Sequence, residues 1–220
     1  MNELEHYIEN LMPKLTQYTC RELEQSKKEL KNVIWSSGES NLDKDYSEIA
    51  KICCEEAFKK CNLNTSLKLE VKTPDLNLSF SDNKFIIKRK IELKSTKSKN
   101  HSVPGSMILS LDPNMWTIFC LREDNNFKLK YGRYYLGIKM SSHDRFQDRS
   151  PRPTLIFDNY QNSDDEPKTE RRKKDNFFYK HYAQCAINRI LNPKNKSWQD
   201  DIILEVIKEV KKNPDRFKDI

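Results

Sequence analysis

The stretch that decides the fold spans residues 73–95 and reads TPDLNLSFSDNKFIIKRKIELKS. Partly alternating apolar and polar residues on either side of residues 81–83, Ser-Asp-Asn, predict two strands joined by a turn. An antiparallel hairpin with that turn brings Asp75 back beside Glu92. Glu92 and Lys94 are two residues apart on one strand, so their side chains point to the same face. The segment therefore predicts two carboxylates and one ammonium group that converge on one face of a sheet.

This set of groups suits metal-dependent phosphate chemistry. Two carboxylates can hold Mg²⁺ through oxygen ligands. A metal bound there can polarise a phosphate and generate hydroxide. Lys94 could orient the attacking water or stabilise negative charge that develops on the phosphorus centre.

The Glu-x-Lys triplet alone has little specificity, because this charged chain contains it at other positions. Glu70-Val71-Lys72, for example, also lies in a predicted strand. Only the triplet at Glu92 follows a Pro-Asp pair at hairpin distance and ends a run rich in β-branched residues. The alternative for this segment is an ordinary charged face of an antiparallel hairpin.

Pro74-Asp75 followed by Glu92-Leu93-Lys94 resembles the motif of the PD-(D/E)xK nuclease superfamily, to which most type II restriction endonucleases belong. The resemblance implies an α/β (α+β) fold with a restriction-endonuclease-like core, in which helices flank a central mixed β-sheet. It implies that Asp75, Glu92 and the backbone carbonyl of Leu93 bind Mg²⁺, with Mn²⁺ as a possible substitute. Lys94 would position the water for in-line attack that leaves 5′-phosphate ends.

Many members of this superfamily add a glutamate from the helix that precedes the hairpin. Glu48, Glu55 and Glu56 are the candidates in this chain, on a predicted helix over residues 43–61. We favour Glu48 as a fourth catalytic residue because it lies in the N-terminal half of that helix. The alternative for each of the three is a solvated helix glutamate.

Composition favours a protein that meets a polyanion inside the cell. Lys and Arg number 40 against 33 Asp and Glu, a formal net charge of +7. Such an excess suits nucleic acid, whose phosphates it would neutralise. The N-terminal residues have no apolar signal core, and no apolar run approaches the roughly 18 residues of a membrane span. The six cysteines show no zinc-ligand spacing. We therefore expect a cytoplasmic, reduced protein without membrane association.

Basic and polar loops supply the candidate DNA contacts. One loop follows the motif, a second precedes a predicted strand at residues 154–157, and a third is a run of basic residues. Arg and Gln can read guanine and adenine edges, and basic clusters bind backbone phosphates. The candidates are Ser95, Thr96, Lys97, Lys99, His143, Arg145, Gln147, Arg149, Arg152, Arg171, Arg172 and Lys173. A solvated surface is the alternative for each loop.

The order of predicted elements indicates one nuclease domain over residues 1–220. Residues 1–62 form a helical N-terminal part, with Pro13 as a break or new start in a helix over residues 3–32. Residues 66–157 form a catalytic core rich in strands, and residues 176–213 form C-terminal helices over about 176–191 and 197–212. We see no clear helix between Lys94 and Trp116, where the superfamily core usually has one.

The interpretation that unites these features is a type II restriction endonuclease that cuts a specific, palindromic site in double-stranded DNA. A palindromic site calls for a homodimer, because protein symmetry mirrors site symmetry. One alternative is a structure-specific or RNA-directed enzyme of the same superfamily, such as a junction resolvase or a viral cap-snatching nuclease. Another is a nucleic-acid-binding module without catalysis, and a third is an interaction protein without any nucleic-acid role.

Overall fold

A central mixed β-sheet organises this α+β protein, and helices flank the sheet. A computed structural model of the protein describes residues 3–26, 39–61, 65–72, 75–82, 84–97, 101–105, 112–123, 126–139, 153–172 and 198–217. The helices are α1 (Glu3–Gln25), α2 (Glu39–Lys60), the single turn α3 (Tyr134–Gly137) and α4 (Trp198–Lys212). The strands are β1 (Ser66–Lys72), β2 (Asp75–Ser81), β3 (Ile86–Thr96), β4 (Ser102–Pro104), β5 (Trp116–Glu123), β6 (Asn126–Arg133), β7 (Ile138–Lys139) and β8 (Thr154–Ile156).

The main sheet has five strands in the order β1-β2-β3-β5-β6. Strands β1, β2 and β3 form an antiparallel meander, and β5 pairs with β6 in the same way. Strand β5 runs parallel to β3, which requires the chain to cross over between them. This arrangement places β3, the strand with the Glu-x-Lys triplet, at the centre of the sheet.

Helices α1 and α2 cover one face of the main sheet. Leu76, Leu78 and Phe80 of β2 point to that face and are fully buried. The ring of Phe58 in α2 lies 6.0 Å from the ring of Phe80. Since successive residues of a strand point to opposite faces, the intervening polar positions of β2, which begin with Asp75, point away from the helices.

Part of the other face is covered by a smaller sheet of order β4-β8-β7 and by the turn α3. Phe119 of β5 anchors this second apolar cluster. Its ring meets that of Phe157 edge-on at 5.4 Å and that of Tyr160 at 5.9 Å. Gly137 has to be small here, because a Cβ atom at that position would meet the hydroxyl of Tyr160 at 2.4 Å.

Helix α1 runs without interruption through Pro13, so the predicted break there is wrong. Proline removes one backbone hydrogen bond from a helix. Pro13 is itself buried, and the apolar residues on either side of it, such as Met12 and Leu15, are packed into the core. This packing outweighs the local cost of the proline.

The acidic segment after β8 is bound to the main fold through its backbone. The amide of Gln17 in α1 donates hydrogen bonds to the carbonyl oxygens of Ser163 and Asp165, at 3.0 and 2.9 Å. The hydroxyl of Tyr131 in β6 donates to the same Asp165 carbonyl at 2.7 Å. Charge composition alone did not predict this docking, because it depends on carbonyl groups rather than on side-chain charge.

Two other described elements agree with the sequence-based predictions. Helix α4 matches the predicted helix over residues 197–212, and β5 matches the predicted buried strand that begins at Trp116. The predicted helix over residues 176–191 lies outside the described residues.

Candidate active site

The β2–β3 hairpin places the two predicted carboxylates opposite each other. In the antiparallel register, Asp75 pairs with Glu92. Directly opposite residues in such a pair have Cβ atoms about 5 Å apart. The turn is held by Asp82, whose carboxylate accepts hydrogen bonds from the backbone N–H groups of Lys84 and Phe85, both at 2.7 Å. The turn chemistry of residues 81–85 thus fixes the register that brings the carboxylates together.

Each carboxylate is neutralised by a lysine of β3. The ammonium group of Lys94 lies 2.5 Å from Oε1 of Glu92, and that of Lys90 lies 2.5 Å from Oδ2 of Asp75. The Glu92 side chain is only 1% exposed, and that of Lys94 is 14% exposed. The site is therefore a cluster of two carboxylates and two lysines, of which only Lys90, at 38%, is substantially exposed. Charge interactions around the buried Glu92 are stronger than in water.

Lys90 is the member of this cluster that we did not predict. It lies two residues before Glu92, so strand alternation already places it on the same face. Its partner position in β2 is Asn77, one alternation away from Asp75. Strand alternation thus places Lys90 on this face, but the Glu-x-Lys part of the motif starts only at Glu92 and does not include it.

The environment of Asp75 raises the pKa of its carboxyl. Partial burial raises the pKa of the Asp75 carboxyl above its ordinary value, and the negative charge of Glu92 raises it further. The hydrogen bond and positive charge of Lys90, together with the charge of Lys94, oppose this shift in pKa without cancelling it. A carboxylate held in this way would gain from an additional cation beside it.

The donor set fits a magnesium ion. Oδ1 of Asp75 is buried and has no hydrogen-bond partner among the described residues. No group of three or more His, Cys, Asp or Glu side chains that could hold a metal occurs in the described ranges. Mg²⁺ typically keeps several waters and uses one or two carboxylates plus substrate phosphate oxygens. Asp75 and Glu92 meet that requirement.

Tyr160 lies close enough to Glu92 for the two side chains to interact electrostatically. Burial raises the pKa of the Tyr160 phenol, and the nearby charge of Glu92 raises it further. Its hydroxyl donates a hydrogen bond to the carbonyl oxygen of Tyr134 at 3.4 Å. Sequence reasoning missed Tyr160, because it comes from a segment 68 positions after Glu92 in the chain, and no local pattern connects the two.

Two further site residues were predicted: Glu48 as a catalytic residue and Leu93 as a metal ligand through its backbone carbonyl. Glu48 is exposed on α2, the helix that packs on the opposite face of the sheet from Asp75 and Glu92. The structure therefore does not bring it to the carboxylate pair. The side chain of Leu93 is buried against the helices. Its backbone lies between Glu92 and Lys94, as the motif implies.

The predicted nucleic-acid contacts fall into three groups. Lys97, Arg171 and Arg172 are exposed. Ser95 is half-buried and alternates to the face of Leu93, whereas Thr96 is buried and its hydroxyl donates to the Ser102 carbonyl at 3.2 Å. The prediction of Thr96 as a phosphate donor is therefore not favoured by its position. The candidates outside the described residues are Lys99, His143, Arg145, Gln147, Arg149, Arg152 and Lys173.

Comparison with known proteins found no similar protein. No protein-family model, no curated protein and no solved structure matches the chain. Among the described helices, none is both long enough and apolar enough to cross a membrane.

Proposed function

We propose that this protein is an Mg²⁺-dependent endonuclease that hydrolyses phosphodiester bonds in nucleic acid, with double-stranded DNA as its substrate. The observation that carries the proposal is the pairing of Asp75 with Glu92 in the hairpin register, with Lys94 beside Glu92 on the same face. An antiparallel meander followed by a parallel strand is also the sheet arrangement expected for a restriction-endonuclease-like core.

Asp75 and Glu92 are the residues that would hold the metal. When bound, Mg²⁺ supplies a Lewis acid for the phosphate oxygens and lowers the pKa of a coordinated water. The hairpin holds the two carboxylates on rigid, hydrogen-bonded strands, so their separation is fixed before substrate arrives. Lys90 neutralises Asp75 in the structure, and the metal would take over part of that role.

Lys94 supplies the positive charge for the reacting groups. Its side chain is mostly buried, and its ammonium group is fixed by Glu92. A cation held in this way can orient the attacking water and stabilise negative charge on the phosphate in the transition state. Because Lys94 is already in place, little reorganisation accompanies the reaction.

The charge of the protein supports a polyanionic substrate. The formal net charge is +7, and Lys97 is exposed just beyond the end of the catalytic strand. Phosphate neutralisation by such residues favours binding of any nucleic acid. We propose further that the enzyme recognises a specific palindromic site as a homodimer, with readout by the loop around residues 143–152.

Cleavage of mixed-sequence plasmid DNA tests the proposal. Wild type is incubated with Mg²⁺ or with EDTA, beside Lys94→Ala and the matched control Lys68→Ala, which removes an exposed lysine of β1. We expect discrete bands from wild type and Lys68→Ala with Mg²⁺ and from no other sample. A ladder would indicate cutting without sequence specificity. Intact duplex but cleaved RNA or branched DNA would assign the substrate to the alternatives within the superfamily, and cleavage of none would reject the nuclease.

A further inference from the structure

A cleft of about 630 Å³ adjoins the candidate active site. It opens beside the first half of β3, because pairing with β5 begins only at Ile91 and Trp116. Lys90 lines this cleft and also contacts Asp75. A group bound in the cleft would therefore lie next to the catalytic carboxylates.

The cleft carries an excess of positive charge. Five cationic side chains line it against three carboxylates. Two of those carboxylates are already occupied. Arg89 bonds to Glu9 at 2.7 Å and lies 3.6 Å from Glu5, and Arg171 lies 3.0 Å from the second oxygen of Glu9. The third carboxylate, Asp112, accepts a backbone hydrogen bond from its own turn at 2.9 Å.

Arg133 is a buried cation of the cleft that forms no ion pair within the described part of the chain. It is 3% exposed, and its guanidinium lies 4.7 Å from the ring centre of Trp116. In the described part of the chain it donates to the carbonyl oxygens of Asn114 and Thr169, at 2.7 and 3.1 Å, and its Nε has no hydrogen-bond partner there. Burying a cation without a carboxylate costs several kcal/mol. A guanidinium fixed on an aromatic ring in a cleft wall is well prepared to receive an anion.

The surroundings of Arg133 lower the pKa of its side chain. Burial lowers the pKa of its guanidinium, and the nearby charge of Arg171 lowers it further. Glu9 and Asp112 offset part of the effect by attraction at longer range. An anion in the cleft would offset the electrostatic cost of burying Arg133 and the repulsion between Arg133 and Arg171.

The segment that carries Arg171 is held firmly at the edge of the cleft. The side-chain amide of Asn114 donates to the carbonyl oxygen of Arg172 at 2.8 Å and accepts from its N–H at 2.7 Å. The hydroxyl of Tyr135 donates to the carbonyl oxygen of Glu170 at 3.2 Å. These bonds position Arg171 over the cleft, whereas the side chain of Arg172 turns away to lie 5.8 Å from the ring centre of Tyr135.

We propose that this cleft binds an organic phosphate, with Arg133 in its wall and Arg171 and Lys90 at its rim. Guanidinium groups match the geometry of phosphate oxygens and bind them in pairs. The phosphate belongs either to the substrate strand or to a free nucleotide. The first source deepens the proposed nuclease function by anchoring the strand beside Asp75, and in that form it rests on that function.

Binding of a fluorescein-labelled single-stranded DNA oligonucleotide, measured by polarisation in EDTA, tests the site without catalysis. We expect Arg171→Gln and Arg133→Lys to weaken binding about tenfold, the effect of losing one charge-assisted hydrogen bond. Lys68→Gln is the control, since it removes an exposed cation of β1 that does not line the cleft, and we expect less than a twofold change. Displacement of the oligonucleotide by ADP would identify a site open to free nucleotides, and failure of ADP to displace it would assign the site to strand phosphate.

Two results would overturn the proposal. One is the failure of wild type to bind either the oligonucleotide or ADP. The other is unchanged affinity in Arg171→Gln, a variant at an exposed position whose fold is checked by its melting temperature. If Arg133→Lys fails to fold, Arg171→Gln alone decides. A wild type that binds in EDTA yet cleaves nothing with Mg²⁺ would refute the nuclease and leave the phosphate site standing. If the variants cleave DNA and bind the oligonucleotide as well as wild type does, the phosphate site is refuted and the nuclease proposal stands.

Discussion

The Glu-x-Lys pattern occurs on strands β1 and β3 of the main sheet, and the two copies differ in solvent exposure and in the residue that faces the glutamate. Glu70-Val71-Lys72 lies on β1, at the edge of the described sheet, where the side chain of Glu70 is 51% exposed and pairs with Lys68 at 2.8 Å. Glu92-Leu93-Lys94 lies on the central strand β3, where Glu92 is 1% exposed. Across the ladder, Glu70 faces the neutral Asn77, whereas Glu92 faces Asp75.

The difference shows that the position of a triplet in the sheet, rather than its letters, creates a chemical site. An exposed ion pair in water contributes little, because solvent screens it. A buried pair has lost its hydration and interacts strongly with any nearby charge. Of these two triplets, only the one on β3 is buried and faces a second carboxylate, and our proposal places the metal there. Substitutions in the two triplets, and in the turn between β2 and β3, should therefore have different effects.

The largest expected effect on stability comes from removing Lys94, the partner of the buried carboxylate. Lys94→Ala takes the cation from a buried carboxylate and should lower the free energy of unfolding by about 3 kcal/mol. Lys68→Ala removes the corresponding exposed partner of Glu70 and should leave stability unchanged. Urea denaturation followed by circular dichroism measures both. Equal losses in the two variants would remove the contrast between buried and exposed triplets.

A smaller effect is expected from magnesium. At about ten times its Kd, Mg²⁺ should stabilise the wild type by about 1.4 kcal/mol, because it binds the folded site. Glu92→Gln should lose this stabilisation, and Glu70→Gln should retain it. Thermal melting with Mg²⁺ and with EDTA measures the shift. A shift that survives in Glu92→Gln would place the metal somewhere other than the predicted site.

The smallest effect concerns the turn that sets Glu92 opposite Asp75. Backbone hydrogen bonds from Lys84 and Phe85 lower the pKa of Asp82 below its ordinary value of 3.8. The ionised carboxylate thus stabilises the fold above that pH, and the contribution is lost as the pH falls through the lowered pKa. Asp82→Asn should reduce the melting temperature at pH 7 by no more than about 2 °C.

The difference between Asp82→Asn and wild type should shrink as the pH is lowered from 4 towards 2 (roughly the range in which a carboxyl with a lowered pKa takes up its proton). Melting curves at matched ionic strength over that range measure it. A difference that is constant with pH would mean that the charge of Asp82 does not strengthen the turn.

The hairpin could be predicted because its determinants are local. The polar turn at residues 81–83 and the strand alternation on both sides fix which residues share a face, so Asp75, Glu92 and Lys94 were placed correctly relative to one another. Trp116 likewise begins a buried strand, as its apolar run indicates.

The rest of the site could not be predicted, because it depends on contacts between distant segments. Tyr160 lies near Glu92 because it packs with Phe157 and Leu155 against Phe119 of β5. Arg133 lies on Trp116 because β5 and β6 pair in one particular register. The docking of Arg171 depends on backbone carbonyl and N–H groups, which leave no pattern in the side-chain sequence. The helix that carries Glu48 was predicted, but the sequence does not show which face of the sheet that helix covers. Glu48 was therefore assigned to the wrong face.

The most direct test of the central claim is the rate of Mg²⁺-dependent DNA cleavage by wild type, Glu92→Gln and Glu70→Gln measured side by side. Each substitution removes one negative charge from the first position of a Glu-x-Lys triplet and keeps the size of the side chain. We predict that Glu92→Gln cleaves DNA about 1000-fold more slowly than wild type, which is the rate loss typical of removing a group that stabilises transition-state charge. We predict that Glu70→Gln cuts as fast as wild type. Cleavage by a folded Glu92→Gln at the wild-type rate would contradict the account.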